Sequence, residues 1–372
     1  MAGRARRAAR RAFLIINGIV VVLFLLSCLA PFLHPGRWWF IAFLGLGFAA
    51  TLGTLLLFLF FTLIVKPRYA LFSLGALLLG AHSISVFFAF HLGGSEKGYV
   101  PQKGAHALRV VQWNVARFIE QRRNNNEGSQ RRLKMLEQLR RQNADIICFQ
   151  EFIQGADSNF YDNLGYMRRE LGYKYFYFPR GNFRRWYGQA IFSRFPIIDS
   201  GYVEFPRPGI PEKFIWADVV LGRRIIRVHT AHLQSYRLEK DDYERIEKIK
   251  NREDSLINHS RSLFGKLRRA TVIRAGQAGL VRRELDRCNY PFIFTGDLND
   301  VPNSYTYNTV RGELQDAFLK KGFGIGRTYN ALAPTLRIDY LFTTRDFRVR
   351  NFQRHARDLS DHYMLVADLE WK

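Results

Sequence analysis

The stretch PFIFTGDLNDVPNS, residues 291–304, is an apolar run that stops abruptly at a carboxylate, Asp297, followed two residues on by an amide, Asn299. An apolar run of that length between Pro291 and Gly296 predicts a buried strand that delivers Asp297 and Asn299 to the mouth of a sheet. Taken alone, the motif reads equally well as a strand closed by an Asx-turn. It does not stand alone. Four other strand-like runs end on residues competent to meet a metal or a phosphate: LRVVQWN at Asn114, DIICFQE at Glu151, IIRVHTAH at His232 and LRIDYLF around Asp339. The chain then closes on Leu359-Ser360-Asp361-His362.

In this order the segments resemble the endonuclease/exonuclease/phosphatase superfamily, over residues 108–372. The resemblance implies an α/β four-layer sandwich of two packed mixed β-sheets flanked by helices. It also implies hydrolysis of a phosphoester with Mg²⁺ or Mn²⁺. By the same resemblance Glu151 is the main metal carboxylate, Asn114 stands beside it, and Asp361 is a further metal-binding group. Asp297 orients or deprotonates the attacking water, Asn299 fixes it and contacts phosphate, and His232 contacts phosphate. His362 acts on the phosphate as base or as charged donor, with Asp339 orienting its ring. Which of Asp297 and His362 is the base stays open. Arg117, Tyr187 and Tyr305 lie near motif ends and are candidates for substrate binding.

Elementary chemistry agrees with this set. Hydrolysing a phosphoester takes neutralisation of the phosphate, an activated water, and donors that meet charge developing on the phosphoryl oxygens. Hard oxygen ligands suit Mg²⁺ or Mn²⁺, and Mg²⁺ usually takes only one or two carboxylates.

The first acidic residue is Glu96, and the residues before it hold eight of the 56 Lys and Arg. The remainder therefore carries 48 basic against 32 acidic residues, a net charge of +16. Such a balance attracts polyanions, whether nucleic acid or an anionic bilayer. Three apolar runs, 13–33, 40–65 and 69–92, each reach the roughly 20 residues that span a bilayer as a helix. None shows a polar face at helical spacing, so three transmembrane helices are expected within residues 1–92. For the first run a cleaved signal peptide is the rival, given the basic Arg4–Arg11 region and the Leu25-Leu26-Ser27-Cys28 box. Five Arg precede the first run, and Lys66 and Arg68 separate the second from the third. The positive-inside rule then puts the N-terminus in the cytoplasm, and three spans put the following domain outside it, on a plasma membrane.

Residues 93–107 read as a polar linker to a catalytic domain at 108–372. Within that domain strands are predicted at 145–150, 173–179, 189–192, 197–205, 213–221, 224–232, 337–343, 347–352 and 364–369. A turn is predicted at 221–224. Helices are predicted at 131–141, 237–253 and 263–285. The last is either a surface helix packed on the sheet or a basic, membrane-facing one. Cys148 and Cys288 are either free thiols or a disulfide.

The substrate classes open at this point are a lipid or sugar-phosphate headgroup and nucleic acid. An anion-binding module without catalysis is a third reading, disfavoured because every expected acidic position is filled.

Overall fold

A computed structural model of the chain describes residues 2–91, 103–104, 106–123, 129–155, 157–179, 186–206, 212–236, 256–331, 333–355 and 358–372. The helix expected at 237–253 and most of the linker lie outside the described residues. The chain divides into two compact units. One comprises Met1–Phe87, Gln234–Ala278 and Asp300–Thr309, the other Phe88–Leu233, Gly279–Asn299 and Val310–Lys372.

The second unit is built on two six-stranded mixed sheets, as expected. The first sheet contains β2 (Ala107–Asn114), β3 (Ile146–Gln154), β4 (Tyr175–Tyr177), β5 (Trp186–Ser193), β13 (Phe347–His355) and β14 (Met364–Trp371), in the order 13-14-2-3-5-4. The second contains β6 (Ile197–Glu204), β7 (Lys213–Leu221), β8 (Arg224–His232), β9 (Phe292–Asp297), β10 (Gln315–Asp316) and β12 (Asp339–Thr343), in the order 10-12-9-8-7-6. A small separate pair joins β1 (Ala89–Phe90) to β11 (Phe323–Gly324).

Each large sheet has one parallel pair at its centre, β2 with β3 and β8 with β9, and antiparallel pairs outside it. Val110, Ile146, Cys148 and Ile191 of the first sheet meet Ile215, Val228, Ile293 and Leu341 of the second in one core. On the outer face of the first sheet, Val111, Trp113 and Phe149 pack with Met135, Leu136 and Leu139 of helix α6 (Arg131–Gln142) and Met167 of α7 (Asn163–Arg169). A strand covered on both faces reads as a continuous apolar run, which is why LRVVQ and DIICF show no alternation. All three cysteines are free thiols.

The first unit holds helices α1 (Ala2–Cys28), α2 (Pro35–Leu46), α3 (Phe48–Val65), α4 (Pro67–Leu79) and α5 (Ala81–Phe87). Among the described residues two helices, Arg4–Cys28 and Phe48–Val65, are long and apolar enough to cross a membrane. The count is three if α4 and α5, bent by 60°, form one span. Two expectations need correction here. The run at 40–65 is two helices that break at Gly47, and the run at 69–92 bends at Gly80 and ends in a strand rather than continuing as helix. Glycine inside a helix costs roughly 1 kcal/mol relative to alanine, which eases a break at Gly47 and Gly80 without dictating one, since Gly53 and Gly75 stay helical.

The helices pass back and forth beside one another. Near one end Arg10 Nη2 donates to Val65 O (2.8 Å), and midway Ser73 Oγ donates to Asn17 Oδ1 (3.3 Å). At the other end Phe24 meets Phe48, Phe48 meets Phe87, and Phe32 meets His82. The long helix α8 (Leu256–Asp286) contributes its first part to this unit, with Phe264 against Phe43 and Arg268 over the Trp39 ring (5.2 Å).

Candidate active site at the ends of two parallel strand pairs

A parallel pair sends both of its C-terminal ends to the same edge of a sheet. The pairing of β2 with β3 ends at Asn114 and Gln150, one residue before Glu151, while β3 itself runs on to Gln154; β8 and β9 end at His232 and Asp297, which are paired positions. The antiparallel neighbours begin where those strands finish. Asp339 opens β12 opposite Asp297, and His362 stands just before β14, whose Leu365 pairs with Gln112. Five of these six positions, all but Glu151, thus converge by sheet topology although they are scattered over some 250 residues.

Asp297 is the hub. Its Oδ2 accepts from Asn114 Nδ2 (3.1 Å) and lies 3.6 Å from both His232 Nε2 and His362 Nε2. Its Oδ1 accepts the Asn299 N–H at 2.8 Å. His362 is oriented from its other nitrogen, Nδ1, which donates to Asp339 Oδ2 at 2.9 Å. The Asp339 carboxylate is held in turn by Gln112 Nε2 (3.0 Å), and Gln112 is linked through Gln150 to Thr230. Trp113 Nε1 donates to His362 O, Ser360 Oγ donates to Asn114 O, and Tyr329 lies beside the His362 ring. Asp297, Asp339 and His362 are buried and bring one ligand-type atom each within 4.8 Å of the others.

Burial and the neighbouring charges together set the protonation states. Burial first, and the Asp339 carboxylate second, push Asp297 up to about 6 against the pull of His362, His232 and Asn114. For His362 burial pulls downward, and the carboxylates of Asp339 and Asp297 overcome it and lift the imidazole to about 10. At neutral pH the first group is ionised and the second protonated.

Glu151 stands apart from this cluster. It occupies a β-bulge between Phe149 and Phe152 at φ +52°, a conformation that costs a non-glycine residue about 1–3 kcal/mol. Its half-exposed carboxylate lies 3.4 Å from Arg117 Nε, and Arg117 rests on the Tyr187 ring at 4.9 Å. Burial raises the Tyr187 hydroxyl, with Glu151 adding to the shift and Arg117 opposing it. Arg117 belongs to four consecutive positive-φ residues, Ala116–Ile119, a second strained segment beside the first.

Of the remaining candidates Asn299 belongs to the cluster through its backbone N–H, and at φ +52° its Nδ2 donates to Leu233 O (3.0 Å). Asp361 is exposed, its Oδ1 accepting from Ser360 Oγ. Tyr305 opens helix α9 (Tyr305–Arg311) and meets His34 edge-on at 5.0 Å, within the unit of the N-terminal helices.

Gln112, Gln150, Thr328 and Tyr329 were not anticipated from sequence. The signal for the glutamines was present, since a buried amide inside an apolar strand needs a partner. Thr328 Oγ1 accepts the N–H groups of Ile338 and Asp339.

Among the described residues the acidic and histidine side chains close enough to share a cation are Asp297, Asp339 and His362. Glu151 and Asp361 are hard oxygen donors too, but they belong to no such group, and Asn114 Oδ1 accepts the Ala116 N–H at 3.1 Å.

The family model described as "Endonuclease/Exonuclease/phosphatase family" matches residues 111–362. A second, "Domain of unknown function (DUF8431)", matches residues 10–87. Among solved structures the chain is similar to humanised TDP2 of D. rerio, with TM-score 0.51 and 16% identity over 72% of this chain and 100% of that one. It is similar also to the human Nocturnin catalytic domain, with TM-score 0.50 and 17% identity over 73% and 97%. No curated protein sequence matches it.

Proposed function

The chain belongs to the endonuclease/exonuclease/phosphatase family, and from its site we propose that it is a membrane-anchored, divalent-metal-dependent phosphodiesterase. The observation that carries this reading is the four-residue cluster in which Asp339 orients His362 and both His362 and His232 face Asp297. A carboxylate near 6 is poised to accept a proton from water at neutral pH, while an imidazole held near 10 remains charged and able to donate to a phosphoryl oxygen. The pair supports Asp297 as base and His362 as charged donor. Asn299 and Asn114 fix the Asp297 carboxylate, and His232 offers a second contact to phosphate. Mg²⁺ or Mn²⁺, for which Glu151, Asn114 and Asp361 are the assigned ligands, would neutralise phosphate charge. Arg117 on Tyr187 is the basic group beside Glu151, and Tyr305 is a further candidate for substrate binding.

We assign anchoring to residues 1–92, a linker to 93–107 and the chemistry to 108–372. The alternation of α1, α3 and α4 supports three crossings. With the arginine-rich N-terminus cytoplasmic, the active site then faces outward from a plasma membrane. Anchoring favours a lipid or sugar-phosphate headgroup as substrate, and the +16 charge beyond Glu96 keeps nucleic acid as the alternative. The test is a panel of DNA, RNA, phospholipids and phosphomonoesters offered to the full chain in detergent, with Mg²⁺ and with EDTA. Metal-dependent cleavage of a phospholipid is expected. Cleavage of nucleic acid alone selects the alternative, and no cleavage of any of them rejects the enzyme.

A further inference from the structure

Two segments that continue directly from the catalytic strand ends belong to the unit of the N-terminal helices: Gln234 onward, two residues after His232, and Asp300–Thr309, one residue after Asn299. Within that unit the buried Arg274 of α8 clamps both. Its Nη1 donates to Gln234 O (2.8 Å), its Nε pairs with Asp300 Oδ2 (3.3 Å), and its guanidinium lies over the Tyr236 ring at 4.2 Å. Gln277 Oε1 accepts the Gln234 N–H at 2.7 Å.

The 300–309 segment is fastened to the helix ends as well. Asn303, fully buried, donates from Nδ2 to Ser27 O at 2.9 Å, and Asn308 Nδ2 donates to Pro31 O at 3.2 Å. Ser27 lies in the last turn of α1, and its carbonyl accepts both the Ala30 N–H (3.2 Å) and Asn303 Nδ2, so Asn303 adds a second, side-chain bond to that helix end. Helix α2 meets the same residue backbone to backbone. A Cβ added at Gly45 would stand 2.7 Å from Asn303 O and 2.4 Å from Ala30 Cβ.

We propose that Asn303 is a positioning residue, through which helices α1 and α2 fix the backbone that follows Asp297 and Asn299 and thereby set the catalytic rate. The route is short. The Asn299 N–H holds Asp297 Oδ1, so a shift of the chain just after Asn299 moves the carboxylate that faces both histidines. A displacement of about 1 Å at a reacting group costs up to roughly 10²-fold in rate. The kinetic consequence rests on the phosphodiesterase reading; the structural one does not.

The test uses the full chain in phospholipid nanodiscs, with Gly45→Ala and Asn303→Ala as variants. Gly53→Ala is the control, because a Cβ there meets nothing within 4 Å. Bis(p-nitrophenyl) phosphate, a soluble diester, removes access to the bilayer as a variable. Both variants are expected to lower kcat by about 10-fold or more with KM unchanged, while Gly53→Ala changes neither. In parallel, hydrogen exchange of the amides at 298–309 is expected to quicken in both variants while that of β2 keeps its wild-type rate. Wild-type kcat with wild-type exchange overturns the proposal. A chain that turns over no diester fails the functional reading only, and the exchange arm then decides: quickened exchange supports the positioning role and unchanged exchange overturns it.

Discussion

Asp297 and His362 face each other in opposite protonation states at neutral pH, and this gives the site its pH dependence. If Asp297 acts ionised, kcat/KM rises as pH climbs through about 6; if His362 acts protonated, it falls again as pH passes about 10. Asp339→Asn removes the carboxylate that lifts the imidazole, so the alkaline limb is expected to move to lower pH. Asp339→Asn and His362→Ala should each cost on the order of 10² to 10⁴ in rate. Their combination should be little worse than the worse single variant, because groups acting as a unit are not additive when removed. Kinetics of the three variants check this, and additive losses would separate the pair. Glu151 supplies a different test. Glycine suits φ +52°, so Glu151→Gly is expected to raise stability by roughly 1 kcal/mol in thermal unfolding without metal while abolishing Mg²⁺ binding by calorimetry. The residues at motif ends were legible because each terminates an apolar run. Gln112 was not, since its partner Asp339 lies 227 positions away and only the sheets bring them together.

The parallel pairs are the elements that aim the site, and β8 against β9 leaves no slack. A Cβ at Gly296 would lie 2.6 Å from Ala231 O, a backbone atom of the neighbouring strand. Gly296→Ala is therefore expected to cost about 1–3 kcal/mol in chemical denaturation and to lower kcat at the same time, since His232 and Asp297 sit one residue further along the same pair. Normal activity in a destabilised protein would separate strand spacing from catalysis. Strands β7 and β8 were legible to the residue, and α6 nearly so, because alternation and helical spacing are local signals. The breaks at Gly47 and Gly80 were not legible, because apolar composition runs through them unchanged. Helix α7 was missed, being only seven residues long with Asp162 as its cap.

At the scale of the molecule, sequence order separates helices from enzyme near residue 92, whereas contact places Gln234–Ala278 and Asp300–Thr309 with the helices. No local pattern announces that Asn303 caps a helix 276 positions earlier. Topology is open to a direct check. Arg223 is exposed in the turn between β7 and β8, so Arg223→Cys in a Cys288→Ser background is expected to react with an impermeant maleimide on intact cells. Labelling only after permeabilisation would reverse the orientation. Whether the Asp297 cluster hydrolyses phosphodiesters is tested most plainly by turnover of bis(p-nitrophenyl) phosphate by the purified full chain and by Asp297→Asn at saturating Mg²⁺. Metal-dependent turnover by the wild type, falling by at least about 10²-fold in the variant, is expected. Equal turnover by the two proteins, or none by the wild type with any divalent metal, would contradict it.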